Sequence, residues 1–128
     1  MSISERTEFD DWLVGFYKRI GQFTMLAVLT KIDERNVVPL CSTYFHVVGD
    51  EVDWDEITLM FAGSGHAWDG AAFFPTQRER GGPIDNPTAR LRLRELESKV
   101  TQDRMTLNEG YFFDALGRKI KLEPISEP

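Results

Sequence analysis

Residues 23–48, FTMLAVLTKIDERNVVPLCSTYFHVV, decide the fold class. Phe23 to Ile32 is a near-continuous apolar run of strand length. A run with no polar face reads as a central strand covered on both sides. Asp33-Glu34-Arg35-Asn36 is a polar turn. Val37 to Val48 is a second strand, rich in β-branched and aromatic residues. In an extended chain Val38, Leu40, Ser42, Tyr44, His46 and Val48 share one face, and Cys41, Thr43, Phe45 and Val47 share the other. Two such runs joined by a short turn form an antiparallel hairpin. Pro39 places the start of the second strand at a sheet edge or a bulge, because proline cannot donate to a ladder.

Upstream, Phe9, Trp12, Leu13, Phe16, Tyr17 and Ile20 form one stripe of an amphipathic helix over about residues 4–20. Ser2 with Glu5, or Thr7 with Asp10, has capping-box spacing. Asp10 and Asp11 near one end, and Lys18 and Arg19 near the other, suit the helix dipole, and Gly21 suits its exit. The stripe is expected to be core and not a partner-binding face.

Downstream, the stretch Leu59–Pro75, LMFAGSGHAWDGAAFFP, mixes core-forming aromatics with glycines, a His and an Asp. Asp53 and Glu56 have N-cap spacing, so 54–62 reads as a short helix, although ITLMF alone has the character of a buried strand. Gly63-Ser64-Gly65 is its exit turn, and Trp68–Phe74 is a third strand ended by Pro75. Residues 76–87 form a loop punctuated by Gly81-Gly82-Pro83 and Asn86-Pro87. Asn86 and Pro87 suit N-cap and N1 positions. A second main helix follows over about 87–107, with Ala89, Leu93, Leu96, Val100 and Leu107 on one face. Tyr111–Ala115 and Arg118–Leu122 read as a last pair of strands, and Glu123–Pro128 as a flexible tail. The expectation is one α+β domain over residues 1–128. It is a mostly antiparallel sheet of about five strands, with the N-terminal helix and the 87–107 helix packed on one face.

Composition narrows the function classes. The 128 residues carry a formal net charge of −6 and one cysteine, Cys41, which excludes an intrachain disulfide framework. Residues 1–60 hold 11 acids against 5 bases, whereas residues 61–128 are balanced at 10 and 10. An acidic first half repels phosphate backbones, so nucleic acid is not an expected partner. No apolar run reaches the roughly 20 residues of a membrane span. The acidic start lacks the form of a signal peptide, so the expected compartment is the cytoplasm.

No motif names a reaction. Walker A, GxGxxG, HExxH, CxxC and GxSxG patterns do not occur, and no cofactor is expected. Gly63-Ser64-Gly65 opens no helix and precedes no Lys-Ser/Thr, so it is a turn and not a phosphate cradle. The acidic cluster Asp50, Glu51, Asp53, Asp55 and Glu56 lacks the ligand pattern of an EF-hand. Arg90, Arg92 and Arg94 spread around a helix and make no compact phosphate site. Cys41 and His46 are an odd number of residues apart, which puts them on opposite faces of a strand, so they form no dyad.

The candidate site residues are His46, His66 and Asp69. Pairing of the third strand with the second would bring them together, as metal ligands or as an acid–base pair with an orienting carboxylate. The leading functional expectation is nevertheless a small acidic, non-enzymatic binding or accessory protein that docks or neutralises a basic protein partner, as an immunity-type inhibitor does. The alternatives are a small enzyme using His46, His66 and Asp69, and self-association through an exposed edge at Phe73–Phe74.

Overall fold

A computed structural model describes residues 6–33, 36–49 and 52–121. Helix α1 (Glu8–Ile20) leads into β1 (Phe23–Ile32) and β2 (Val37–Val47). Helix α2 (Trp54–Ala62), β3 (Gly70–Thr76), α3 (Asn86–Gln102), a short 3-10 turn (Arg104–Glu109) and β4 (Tyr111–Asp114) follow. The strands form one antiparallel sheet in the order β2-β1-β3-β4. The fold is therefore α+β, a four-stranded antiparallel sheet with helices packed on it. Among the described residues no helix is long and apolar enough to cross a membrane.

β1 is central, and its composition dictates the layering. Phe23, Met25, Ala27 and Leu29 face α1 and α2, while Leu26 and Val28 face α3. The helices thus divide between the two faces of the sheet instead of sharing one. A strand apolar on both faces needs cover on both, which a single helical layer cannot supply. On the α1/α2 side an aromatic cluster fills the space. The Phe9 ring lies 4.8 Å from both Trp54 and Phe73, and edge-on to Phe113. The α1 stripe is core, as its spacing implies, with Phe9 and Leu13 buried. On the other side Leu96, Val100 and Leu107 cover Leu26, Val28, Ala72 and Phe112.

Capping chemistry fixes the element ends. Thr7 and Asp10 form the capping box of α1; the other start, at Ser2 and Glu5, lies outside the described residues. Asp10 does more. Its Oδ2 accepts from the Thr7 N–H at 2.9 Å and its Oδ1 from the Trp54 N–H at 2.7 Å. One carboxylate thus ties together the N-termini of α1 and α2, each of which favours negative charge. Residues 54–62 are helical, with Asp53 as N-cap. In α3 the cap is Asp85, one residue before Asn86, and its side chain accepts from the Thr88 N–H. That helix stops at Gln102 because Asp103 is extended and caps the following 3-10 turn.

The strand boundaries after α2 also differ from the sequence reading. β3 begins at Gly70, while Trp68 precedes it and packs edge-on against Phe61. β3 also runs through Pro75 to Thr76, opposite Met25 and Thr24. β4 pairs only with Gly70–Phe73, so Pro75 lies where that flank of β3 carries no ladder. Among the described residues the segment after β4 contributes one bridge, Phe113 with Lys119, and not a fifth strand. Gly117 turns the chain there at φ +76°, and its carbonyl accepts from the Phe9 N–H at 3.0 Å. The tail from Glu123, Leu122, the acidic pair Asp50–Glu51 and the turn residues Glu34–Arg35 lie outside the described residues.

Candidate functional site

The register of the sheet determines where the candidate residues stand. His46 pairs with Thr24 at the start of β1. Asp69 lies at the opposite end of that strand: its N–H donates to the Thr30 carbonyl at 2.8 Å, and its Oδ2 accepts from the Ile32 N–H at 2.9 Å. From Thr24 to Thr30 the strand spans roughly 20 Å. His66 is exposed on the loop after α2, with its N–H donating to Ser64 Oγ. The structure therefore does not bring His46, His66 and Asp69 together. The reason is topological: β3 pairs with β1 and not with β2, so its entrance meets the far end of the hairpin from His46. Among the described residues no group of three His, Cys, Asp or Glu side chains is placed to hold a metal ion.

His46 instead completes a polar chain beneath the sheet. The Ile84 N–H donates to Thr24 Oγ1 at 3.0 Å, and that hydroxyl lies 2.8 Å from His46 Nδ1. At the other ring nitrogen the Asn86 Oδ1, 2.9 Å from Nε2, can only accept, which puts a proton on Nε2 and, in the neutral ring, makes Nδ1 the acceptor for the Thr24 hydroxyl. Each member donates onward in one direction. The chain pins the 76–87 loop to β1, and Gln77 adds to it by donating to the Ile20 and Gln22 carbonyls. The loop that the sequence marks as irregular is thereby held at two points. Asp69 has an equally structural setting. The Ile32 N–H holds its carboxyl below the usual carboxylate range; partial burial works against this, and the Lys31 ammonium, 3.4 Å away, works with it.

A different place has the form of a site. β2 is an edge strand, and the last turn of α2 stands off from it. Between them is a crevice of about 410 Å³, floored by Leu29 and Phe61 and walled by Met60, Cys41, Ser64 and His66. Met60, on its wall, is 40% exposed, and Leu59 beside it on α2 is 76% exposed. The first turn of α2 carries Asp55 and Glu56 after the Asp53 cap, and its last turn carries no base. Cys41 is not an activated nucleophile. Burial pushes its thiol up, a contact with the Ser64 hydroxyl offsets part of this, and the Glu97 carboxylate raises it further.

The opposite face of the same edge has a second, smaller hollow of about 130 Å³, lined by Pro39, Leu40, Ser42, Glu97 and Val100. A β-bulge creates it. Leu29 pairs with Cys41 but Thr30 pairs with Pro39, so Leu40 has no partner. The bulge also turns Val37 to the α3 side, the face that Tyr44 shares and Cys41 does not. Ser42 Oγ donates to Glu97 Oε2 at 2.5 Å. Among the described residues Glu97 has no salt-bridge partner. Neither hollow follows from the sequence, because each depends on how a helix lies across the hairpin; the one available signal is Pro39, which marks the edge and the bulge.

Compared with known proteins, the chain matches no family model, and neither a curated protein nor a solved structure is significantly similar to it.

Proposed function

We propose that this chain is a non-enzymatic accessory protein that docks a basic protein partner on the face formed by α2 and the edge of β2. The observation that carries this reading is an open crevice walled by half-exposed Met60, on a helix that also exposes Leu59, begins with Asp53, Asp55 and Glu56 and has no base in its last turn. Apolar side chains beside a hollow supply contact area, and the carboxylates at the other end of the same helix select the sign of the partner. The net charge of −6 adds a long-range attraction for a basic surface. The enzyme alternative built on His46, His66 and Asp69 is not retained, since these residues do not share a site. Self-association through Phe73–Phe74 has less support, because Phe73 is fully buried and pairs on both sides, which leaves only the flank from Phe74 to Thr76 without a ladder.

The test is capture of partners from the native host at low salt by the wild-type chain, by Leu59→Glu with Met60→Glu, and by Asp55→Lys with Glu56→Lys. A specific basic protein retained by the wild type, lost from both variants and weakened by salt is the expected result. Equal capture by all three chains, or no specific capture by the wild type, rejects the reading.

A further inference from the structure

We infer that docking proceeds by strand addition: an extended segment of the partner pairs with the open edge of β2 over Cys41–Val47, placing apolar side chains in the α2 crevice and a basic side chain against Glu97. This deepens the docking reading above and rests on it.

Three observations converge on the same stretch. First, among the described residues β2 has a neighbour on one side only, so its outer edge offers a row of backbone donors and acceptors to an incoming strand. Second, that edge is blocked at one end and open at the other. Pro39 and the unpartnered Leu40 interrupt the ladder, and the Arg104 guanidinium occupies the Val37 carbonyl. From Cys41 onward the strand pairs regularly with β1 up to Val47. Third, a hollow flanks this stretch on each face, and Cys41 and Ser42 line both.

The alternation of a strand converts those hollows into a residue code. A residue directly opposite another in a ladder lies on the same face. Partner residues opposite Cys41 and Thr43 point to the crevice of Leu29, Met60 and Phe61, which favours apolar groups. The residue between them, opposite Ser42, points to the Glu97 carboxylate, which favours lysine or arginine. Opposite Tyr44 the preference reverses, because the Arg90 guanidinium lies 3.5 Å from the Tyr44 hydroxyl and repels a second base. The segment that fits is therefore apolar, basic, apolar, uncharged, apolar in sequence.

The probe is a short acetylated peptide of that pattern, with leucine as the apolar residue, lysine as the base and threonine as the uncharged one. Its controls are the same composition reordered to helical spacing, and two versions N-methylated on alternate sets of backbone amides. Binding is read by fluorescence anisotropy and by amide shifts of the labelled protein. The expected result is binding of the patterned peptide, with shifts centred on Cys41–Val47 and Met60–His66. One N-methylated version should lose about tenfold or more in affinity, as two or three lost hydrogen bonds imply, and the other should bind normally. Glu97→Lys should weaken the lysine peptide and favour one with glutamate in its place. If the helically spaced peptide binds as well, or if neither N-methylation matters, strand addition is overturned and docking by another mode stands. If no peptide binds and the α2 variants capture the same proteins as the wild type, both readings fall.

Discussion

Thr24→Val tests the polar chain beneath the sheet. Thr24 is fully buried, and valine matches its shape, so the substitution deletes one hydroxyl and leaves no cavity. That hydroxyl accepts from the Ile84 N–H at 3.0 Å and faces His46 Nδ1 at 2.8 Å. The Ile84 N–H sits against a 4%-exposed side chain, so water cannot replace the lost acceptor easily. An orphaned buried donor costs about 1–3 kcal/mol, and the half of the chain through His46 adds about 0.5–1.5 kcal/mol, with His46 able to turn to solvent. The expected total is about 2–3 kcal/mol. For a chain of this size each kcal/mol lowers Tm by roughly 3–5 °C, so the midpoint should fall by about 6–15 °C. Urea unfolding followed by tryptophan fluorescence gives the free energy, and Thr24→Ser is the control that keeps the hydroxyl and drops only a methyl group. A Thr24→Val loss no larger than that of Thr24→Ser, or one below about 0.5 kcal/mol, refutes the assignment of Thr24 as the link between loop and sheet.

Four other outcomes follow from the same geometry. A Cβ at Gly110 would lie 2.5 Å from the Phe73 carbonyl oxygen and 2.8 Å from the Phe74 ring, so Gly110→Ala should destabilise by about 2 kcal/mol or more in urea unfolding. Gly15 in α1 has open space around its Cα, and Gly15→Ala should instead stabilise by roughly 0.5–1 kcal/mol in the same assay. Asp69 has a lowered pKa in the folded state, so it contributes stability above the unfolded carboxylate value near about 3.9 and loses it as pH falls through the folded value. Asp69→Asn should accordingly be less stable than the wild type at neutral pH, with the gap closing in acid; a gap that widens in acid contradicts the assignment. The raised pKa of Cys41 predicts alkylation by iodoacetamide that is slower at neutral pH than that of an exposed cysteine and rises only above the ordinary thiol range.

The extent to which the sequence discloses this architecture varies with the kind of interaction. β1 is legible because its apolar run can satisfy only a strand buried on two faces, and α1 because its stripe recurs at helical spacing. The start of α2 at Asp53 is legible from side-chain capping over three residues. The errors lie where a tertiary contact outweighs a local rule. Asn86 has the chemistry of an N-cap, yet its amide is engaged by His46, and Asp85 takes the capping position. The 118–122 segment alternates as a strand does, but β4 is so short that one bridge exhausts its pairing. The convergence of His46, His66 and Asp69 requires β3 beside β2. Strand order is set by the long-range match of β3 with β1, which no local spacing encodes.

The candidate surface follows from the same asymmetry of cover. The sheet buries its two central strands and leaves β2 half-covered, since α1 reaches the Val47 end and α2 packs through Trp54, Ile57 and Phe61. Between those contacts Cys41 and Thr43 have no helix directly above them, and the crevice is what remains. A long edge strand left this way invites uncontrolled pairing unless part of it is spoiled. Pro39 and the bulge at Leu40 spoil the Val37 end, whereas nothing in the backbone spoils Cys41–Val47. An edge spoiled along half its length, on the sheet that α2 covers with Met60 and Leu59 exposed, has the form that the proposed strand addition requires: it would accept a strand of one character and refuse others.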